Sequence, residues 1–355
     1  MNKTIYTLLI FLLMLVSCQR NGKGFFKSSV QVKDTTLFAQ FGFGSCQLQA
    51  AQLPLLQKAD SMQLDFFVYL GDNIYSDTYK LSVLDSNYQV LAKNPDFQLL
   101  KKSTPLYAVW DDHDYGFNDS GRHYPLKKES KELFVKFWDI PAHSNRIEHE
   151  GIYGSEYLTY GDRTLQIILL DTRTFRDDLL LNKPPQKGFK NDYIPNQNPD
   201  STFLGKAQWK WLEQELKQEA DLRIIASSNQ FSHEYNGWES WTNVPREQQR
   251  FVDLIAKTQA NGVIFLSGDV HWGEISKMPT DVTYPLYDVT SSGITETWPS
   301  TEPNRYRMGD VIPQNNIGRI QFFYNEKDPT IVMELLDIHG VVNRHQIKLS
   351  EISFQ

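Results

Sequence analysis

Side chains that bind metal ions follow the ends of several short apolar runs in this sequence. The stretch from Asp65 to Asp77 is a run of Phe, Val, Tyr and Leu that stops at a Gly and is followed by Asp72 and Tyr75. Four other runs end in the same manner, at Gly44-Ser45-Cys46, Asp111-Asp112-His113-Asp114, Asp171-Thr172-Arg173 and Gly268-Asp269-Val270-His271. A lone Gly-Asp is more often a turn or a helix cap. Five such ends, however, predict one metal centre at the carboxyl edge of a sheet.

The elements that would position these residues alternate between strand and helix. Predicted strands cover 37–44, 65–70, 105–110, 164–170, 222–226 and 263–266, and helical patterns lie between most of them. Such alternation indicates parallel pairing in an α/β fold. Four more strands after residue 285, with few helices between them, predict a second, largely antiparallel sheet. The expected architecture is therefore two facing sheets with helices outside, a four-layer αββα sandwich.

The first residues have the features of a bacterial export signal. Asn2-Lys3 gives a positive start, and the apolar segment from Leu8 to Val16 is too short for a stable membrane span. The tetrad that ends at Cys18, Leu-Val-Ser-Cys, resembles a lipobox, so we predict a signal peptide over 1–17, lipidation of Cys18, a linker over 18–34 and one domain over 35–355. The alternative is an ordinary cleaved signal peptide. Because Gln19 is not Asp and the following run is basic, the expected location is the outer membrane, facing the periplasm.

Charge and cysteine content narrow the function further. Lys and Arg number 36 against 43 acidic residues, and a net charge of −7 gives no electrostatic basis for nucleic-acid binding. The chain has only two cysteines. If Cys18 carries lipid, Cys46 has no partner for an internal disulfide. Cys46 is then either a buried thiol or, as its neighbours at the other strand ends favour, a metal ligand.

The motifs together resemble the PhoD-like branch of the calcineurin-type metallophosphatases, and the resemblance covers nearly the whole mature chain. The resemblance rests on the strand ends named above and on Asn73-Ile74-Tyr75, Ser228-Asn229-Gln230 and Thr290-Ser291-Ser292. General metallophosphatases open with Asp-x-His and close with Gly-His-x-His. In this chain Cys46 and Asp269 stand at the first positions of those two motifs.

The resemblance implies a dinuclear or multinuclear centre with Asp72 as the bridging carboxylate. Cys46, Tyr75 and His271 would complete a pole suited to iron(III), whereas Asp112, Asp269 and an amide from Asn229 or Gln230 would form an oxygen-rich pole for calcium, with manganese, magnesium or zinc as alternatives. Adjacent carboxylates on an extended strand point in opposite directions, so one of Asp111 and Asp112 should turn away. Asp112 is the expected ligand because it matches the Asn of the Gly-Asn-His-Asp motif in the wider family.

The same resemblance assigns the remaining catalytic residues. Asp114 fits the carboxylate beside His113, which would stabilise the transition state or protonate the departing alkoxide. His113 could instead only support other residues. Arg173 would bind two phosphoryl oxygens through its guanidinium group or, alternatively, form an ion pair with Asp171 or Asp177.

The implied reaction is hydrolysis of a phosphate monoester or diester by in-line attack of a metal-bridging hydroxide. Two other functions stay open at this stage. One is a metal-dependent esterase or amidase on the same scaffold, and the other is a lipid-anchored glycan-binding protein with a structural metal.

Overall fold

A computed structural model of the protein describes residues 39–354. The predicted signal peptide, the lipidated Cys18 and the linker lie outside this range. Within it, the strands are β1 (Ala39–Gly44), β2 (Phe66–Leu70), β3 (Leu106–Val109), β4 (Gly154–Tyr160), β5 (Arg163–Leu169), β6 (Leu180–Leu181), β7 (Tyr193–Ile194), β8 (Leu222–Ala226), β9 (Val263–Ser267), β10 (Gly273–Met278), β11 (Leu286–Ser291), β12 (Arg307–Ile312), β13 (Ile317–Phe323), β14 (Thr330–Leu336) and β15 (Val341–Lys348).

The α-helices each bury one face. They are α1 (Pro54–Ser61), α2 (Leu81–Lys93), α3 (Pro95–Ser103), α4 (Asp112–Tyr115), α5 (Lys127–Phe137), α6 (Asn145–Glu148), α7 (Gly205–Leu216) and α8 (Pro245–Thr258). Helices α2 and α3 are separated at Asn94, whose side chain accepts hydrogen bonds from the first backbone N–H groups of α3. Within residues 39–354, no helix combines the length and the apolar character needed to cross a bilayer.

The strands form two large sheets and one small pair. One sheet has the order β15-β14-β13-β1-β2-β3, the other has the order β12-β10-β11-β9-β8-β5-β4, and β6 pairs with β7. Strands β1, β2 and β3 run parallel to each other, as do β5, β8, β9 and β11. A bridge between Ser45 and Ser292 joins the ends of β1 and β11. The expected two-sheet α/β sandwich is therefore confirmed.

Two details of the predicted sheet arrangement are wrong. The strands after residue 285 do not form a sheet of their own, because β13 pairs antiparallel with β1 and extends the first sheet, whereas β11 and β12 belong to the second. Pairing with β13 satisfies the backbone groups along one edge of β1, which would otherwise be an open edge. In addition, the strand ends that carry the chemistry come from both sheets rather than from one edge of a single sheet.

Candidate metal centre and cleft

Five strands deliver polar side chains to one region between the sheets. Cys46 follows β1, Asp72 follows β2, Asp112 follows β3, Asn229 follows β8 and Asp269 follows β9. The turns are tight enough to need glycine at two points. A Cβ atom on Gly71 would lie 2.5 Å from Cβ of Asp111, and one on Gly268 would lie 2.2 Å from Oγ of Ser45. These glycines therefore let the ends of different strands approach one another.

The backbone is unusual at the predicted ligands. Cys46, Asp72, Asp269 and His271 have φ values of 59°, 49°, 71° and 64°. Non-glycine residues in the left-handed region cost about 1–3 kcal/mol each, and such residues concentrate at functional sites. The fold thus tolerates a local cost to aim these four side chains.

The first cluster of potential ligands contains Cys46, Asp72 and His271, each with one ligand atom within 4.8 Å of the others. The Cys46 thiol lies 3.3 Å from Oδ2 of Asp72. His271 Nδ1 lies 3.0 Å from the carbonyl oxygen of Glu296, which can only accept, so Nδ1 carries the proton and Nε2 keeps its lone pair. This second hydrogen bond is the usual way of orienting a metal-binding histidine.

Tyr75 adds a phenol near this cluster. Its ring lies 4.3 Å from the ring of His113, and its buried hydroxyl makes no hydrogen bond among the described residues. A hydroxyl that only packed against the sheet would normally have a partner. A soft, electron-rich donor set of thiol, phenol and imidazole therefore fits a trivalent or transition metal.

The second cluster contains Asp72, Asp111, Asp112 and Asp269, again within 4.8 Å, and so shares Asp72 with the first. Asp111 accepts from Nε of Arg173 at 2.5 Å, whereas Asp112 leaves Oδ1 without a hydrogen bond and uses Oδ2 to accept from the backbone N of Asp119 at 2.8 Å. Among the described residues, Oδ2 of Asp111 also lacks a hydrogen bond, and the Arg173 guanidinium lies 3.6 Å from Oδ1 of Asp112. Both adjacent carboxylates therefore offer an oxygen to the cluster, and the expectation that one of them turns away is wrong. This set of oxygen atoms suits a hard cation.

Burial makes this concentration of acids costly without a cation. Burial raises the pKa of Asp72, of Asp269 and, to about 8, of Asp111. Burial and the charge of Asp72 likewise raise the pKa of the Cys46 thiol. Bound cations would reverse these shifts by stabilising the ionised forms, so the residues fit a multinuclear metal centre.

The amide that could join the second cluster is better supplied by Asn229 than by Gln230. Both polar atoms of the fully buried Asn229 side chain are without a hydrogen-bond partner in the described chain. Gln230 donates through Nε2 to Glu274 at 2.7 Å and to Thr290 at 3.0 Å, so only its Oε1 is without a partner in the described chain. An unpaired buried amide requires a ligand or water to satisfy it.

The surroundings of His113 differ from the expectation. Its carboxylate partner is Asp77, with both oxygens 2.9 Å from Nδ1, and not Asp114. Asp114 accepts from the backbone N–H groups of Asp72 at 3.1 Å and Asp111 at 2.7 Å. The reason is that His113 and Asp114 lie in the short helix α4, where successive side chains point in different directions. Asp114 therefore holds the turn that presents the ligands, while Asp77 orients the histidine.

Arg173 also has a different environment from the one predicted. It is fully buried and pairs with Asp111 and, at 2.7 Å, with Glu239, instead of facing phosphate or pairing with Asp171 or Asp177. Arg176 pairs with Glu239 from the other side at 3.0 Å. The two guanidinium groups thus neutralise the carboxylates of Asp111 and Glu239.

A cleft of about 200 Å³ opens onto the centre. Its walls include side chains that sequence reasoning had not assigned to a role, among them Asn118, Asp119, Asp192, Tyr193, Glu239, Trp272 and Trp298. Asp119 and Glu239 also form a third group of possible metal ligands with Asp112. In the loop from Trp238 to Trp241, Trp238 lines the cleft and Trp241 is buried against Phe203. The long polar loop over 177–202 also contributes to the wall, through Asp192 and Tyr193.

Comparison with known proteins gives a consistent picture. The profile of the PhoD-like phosphatases matches residues 41–302. Alkaline phosphatase D of Bacillus subtilis (strain 168) is 25% identical in an alignment 297 positions long that covers 72% of this chain and 48% of that protein. The chain therefore spans about half the length of this curated relative.

Solved structures share the fold at low sequence identity. A structure of PhoD has a TM-score of 0.65 at 19% identity, covering 86% of this chain and 71% of that one. A dimetal phosphatase from Danio rerio has a TM-score of 0.52 at 15% identity, covering 88% and 99%. GAP50, the anchor in the inner membrane complex of Plasmodium, has 0.55 at 13%, covering 88% and 89%. Because the family profile extends over most of the sequence, from β1 to beyond β11, the chain belongs to the PhoD-like phosphatase family.

Proposed function

We propose that this protein is a metal-dependent hydrolase of phosphate esters. The observation that carries the proposal is that Asp72 is shared between the ligand cluster of Cys46 and His271 and the ligand cluster of Asp112 and Asp269. A carboxylate shared between two sets of ligands is what a two-metal site for phosphoryl transfer to water requires. Membership of the PhoD-like phosphatase family supports the same reaction.

Each residue has a part in this proposal. Cys46, Asp72, Tyr75 and His271 would hold one ion, for which iron(III) is the best match. Asp72, Asp112, Asp269 and Asn229 would hold a harder ion such as calcium. Metal ions bound there supply charge neutralisation for the phosphoryl oxygens and an activated water as nucleophile. The chain itself fixes the ligands through Asp114 and Arg173.

His113 is the proposed proton donor to the leaving alkoxide. It lines the cleft beside Asp112, with Nε2 of the ring 3.9 Å from Oδ2 of that residue. Asp77 on the other ring nitrogen orients the imidazole and stabilises its protonated form. The cleft gives a substrate access to the ligands, which favours a hydrolase over a glycan-binding protein with a closed structural metal.

The test combines metal analysis with a substrate panel. We expect the wild type, purified without chelator, to contain two or more metal ions per chain and to hydrolyse p-nitrophenyl phosphate or bis-p-nitrophenyl phosphate, but not p-nitrophenyl acetate. Asp72→Ala should lose both activity and metal, while Asp162→Asn, an exposed change in the turn between β4 and β5, should retain both. Activity on the acetate alone would favour the esterase alternative. Full activity with two metals in Asp72→Ala would refute the centre.

We also propose that the protein is anchored to the outer membrane through Cys18 and faces the periplasm. The support is the lipobox-like tetrad and the basic run after it. Cys18→Ala should give unlipidated protein that is soluble or retained as a precursor, as measured by fractionation and mass spectrometry. Degradation of the wild type by protease added to intact cells would contradict the periplasmic orientation.

A further inference from the structure

The segment 292–298, which follows β11, lies against two of the proposed metal ligands. The backbone N of Glu296 donates to the carbonyl oxygen of Cys46 at 3.1 Å. The backbone N of Trp298 donates to the carbonyl oxygen of His271, also at 3.1 Å, and the carbonyl oxygen of Glu296 lies 3.0 Å from Nδ1 of His271. Cys46 follows a strand of one sheet and His271 a strand of the other. The segment therefore holds together two ligands that come from different sheets.

One side chain of this segment contacts both ligands. Ser292 closes the Thr290-Ser291-Ser292 motif, which the proposed metal centre does not use. The side chain is fully buried, and its Oγ lies 2.7 Å from the backbone N of His271 and 3.1 Å from Sγ of Cys46. A single hydroxyl group thus fixes the position of the thiol relative to the backbone of the histidine.

The chemistry of the atoms gives the direction of these two hydrogen bonds. A hydroxyl group has one proton and two lone pairs, and a backbone N–H can only donate, so Oγ of Ser292 accepts from His271. Its own proton is left for Sγ of Cys46, the other atom with which this hydroxyl forms a hydrogen bond among residues 39–354. A cysteine that binds a metal ion is a thiolate and can only accept. With a cation bound, Ser292 therefore donates to the sulfur.

The two neighbouring serines use their protons elsewhere. Oγ of Ser45 lies 3.5 Å from Sγ of Cys46 and donates to the carbonyl oxygen of Ser291 at 3.2 Å. The hydroxyl of Ser291 donates to Oδ1 of Asn316 at 3.0 Å. Of these three buried hydroxyl groups, that of Ser292 is the one whose proton is directed to the sulfur.

We propose that Ser292 is a positioning residue of the metal centre and that its hydroxyl group tunes the thiolate of Cys46. The inference rests on the proposed metal-dependent function and adds to it a residue outside the set of ligands. A hydrogen bond to a thiolate draws electron density from the sulfur, so the sulfur donates less charge to the metal, and such bonds set the reduction potential of metal–thiolate sites. Loss of a residue that orients a ligand typically lowers metal affinity by about 10–100-fold.

The test compares three serine variants of the iron-containing protein by absorption spectroscopy and by competition with a chelator. The thiolate band is the part of the spectrum that Cys46→Ser removes. Ser292→Ala should shift this band to longer wavelength, because the sulfur holds its electrons less tightly without the O–H donor, and should weaken metal binding by about 10–100-fold. Ser292→Thr keeps the hydroxyl group and should restore both. The matched control Ser291→Ala removes a hydroxyl group that is equally buried and should change neither.

The contrary results separate the part given to Ser292 from the proposed centre. An unshifted band with wild-type affinity in Ser292→Ala would refute the role of the hydroxyl group and leave the centre intact. Ser292→Thr behaving like Ser292→Ala would do the same, as would an equal shift in Ser291→Ala, because the effect would then come from packing. A wild type whose spectrum is unchanged by Cys46→Ser would exclude the thiolate ligand, and with it both the proposed iron site and the role of Ser292.

Discussion

The pair formed by His113 and Asp77 gives the sharpest test of the proposed mechanism. If His113 protonates the leaving alkoxide, His113→Ala should retain its metals and lose on the order of 10²–10⁴ in rate on alkyl esters, the usual scale of general acid catalysis. Esters of p-nitrophenol need little protonation, because the leaving phenolate is stable, and should lose much less. An equal loss for both kinds of ester would show that His113 is not the proton donor.

Asp77 allows the effect to be separated from simple loss of the side chain. In the wild type, the backbone N of Asn118 donates to Oδ1 of Asp77 at 2.9 Å. Asp77→Asn keeps an oxygen that can accept this bond but removes the charge beside Nδ1 of His113. A hydrogen bond to a charged group contributes about 1.5–3 kcal/mol. The Asp77 side chain is 41% exposed, so solvent screening places the expected effect at the low end, about tenfold on alkyl esters.

The pH dependence gives the sign of this effect. Burial lowers the pKa of His113, but Asp112, Asp72 and Asp77 raise it, to about 11. Bound cations offset Asp72 and Asp112 and leave Asp77 as the carboxylate that raises the pKa of His113. A general acid works only when protonated, so activity falls as pH rises through its pKa. Removing the charge of Asp77 should lower the pKa of His113, so the fall of kcat/KM on the basic side of the pH profile should occur at lower pH.

A double-mutant cycle completes the test. If Asp77 acts through His113, Asp77→Asn should have little further effect once His113 is Ala. The same tenfold loss in both backgrounds, or a basic limb that does not move in Asp77→Asn, would refute the assignment of Asp77 as the residue that orients His113. Metal content, measured for all four proteins, excludes loss of the ions as the cause.

Two further predictions concern the metal colour and the buried charges beside the cleft. Phenolate and thiolate ligands give iron(III) a visible absorption band, so Tyr75→Phe and Cys46→Ser should each shift or weaken that band and lower the activity. A spectrum that neither substitution changes, in a protein that contains iron, would show that these side chains are structural. Burial raises the pKa of Glu274, but His233 and Arg307 lower it from 4.5 to about 2, so its ionised form stabilises the fold above pH 4.5 and this contribution is lost as pH falls toward 2. Glu274→Gln should thus reduce the free energy of unfolding at pH 7 by about 3 kcal/mol in urea titrations, and a difference from wild type that does not narrow below pH 4.5 would contradict this origin.

The parts of the fold that follow from local sequence were predictable. Pro245 begins α8, at the position of a helix where proline is favoured, and the helical break at Asn94-Pro95 occurs where the side chain of Asn94 can cap α3. The sheet order was not predictable in the same way. That β13 pairs with β1 depends on contacts between distant segments, and the apolar alternation of a strand does not specify its neighbour.

A similar limit applies to the site. The order of motifs brought Cys46, Asp72 and His271 together as candidates because each follows a strand, and strand ends converge. The partner of Arg173 was not visible in its own motif, since Glu239 comes from a loop far along the chain. The signal for Asp77 was present, two residues after Tyr75, but four acidic residues in the two neighbouring motifs competed for the same role.

The division of ligands between the two sheets links metal binding to folding. Cys46, Asp72 and Asp112 follow strands of one sheet, and Asp269 and His271 follow β9 of the other. Ions held between them act as cross-links that close a long loop of chain, as a disulfide does, in a domain whose only described cysteine is unpaired. Their binding energy then adds to the stability of the folded state in proportion to the logarithm of the free metal concentration. The metal supply of the compartment would thereby govern how long the protein persists there as well as how fast it works.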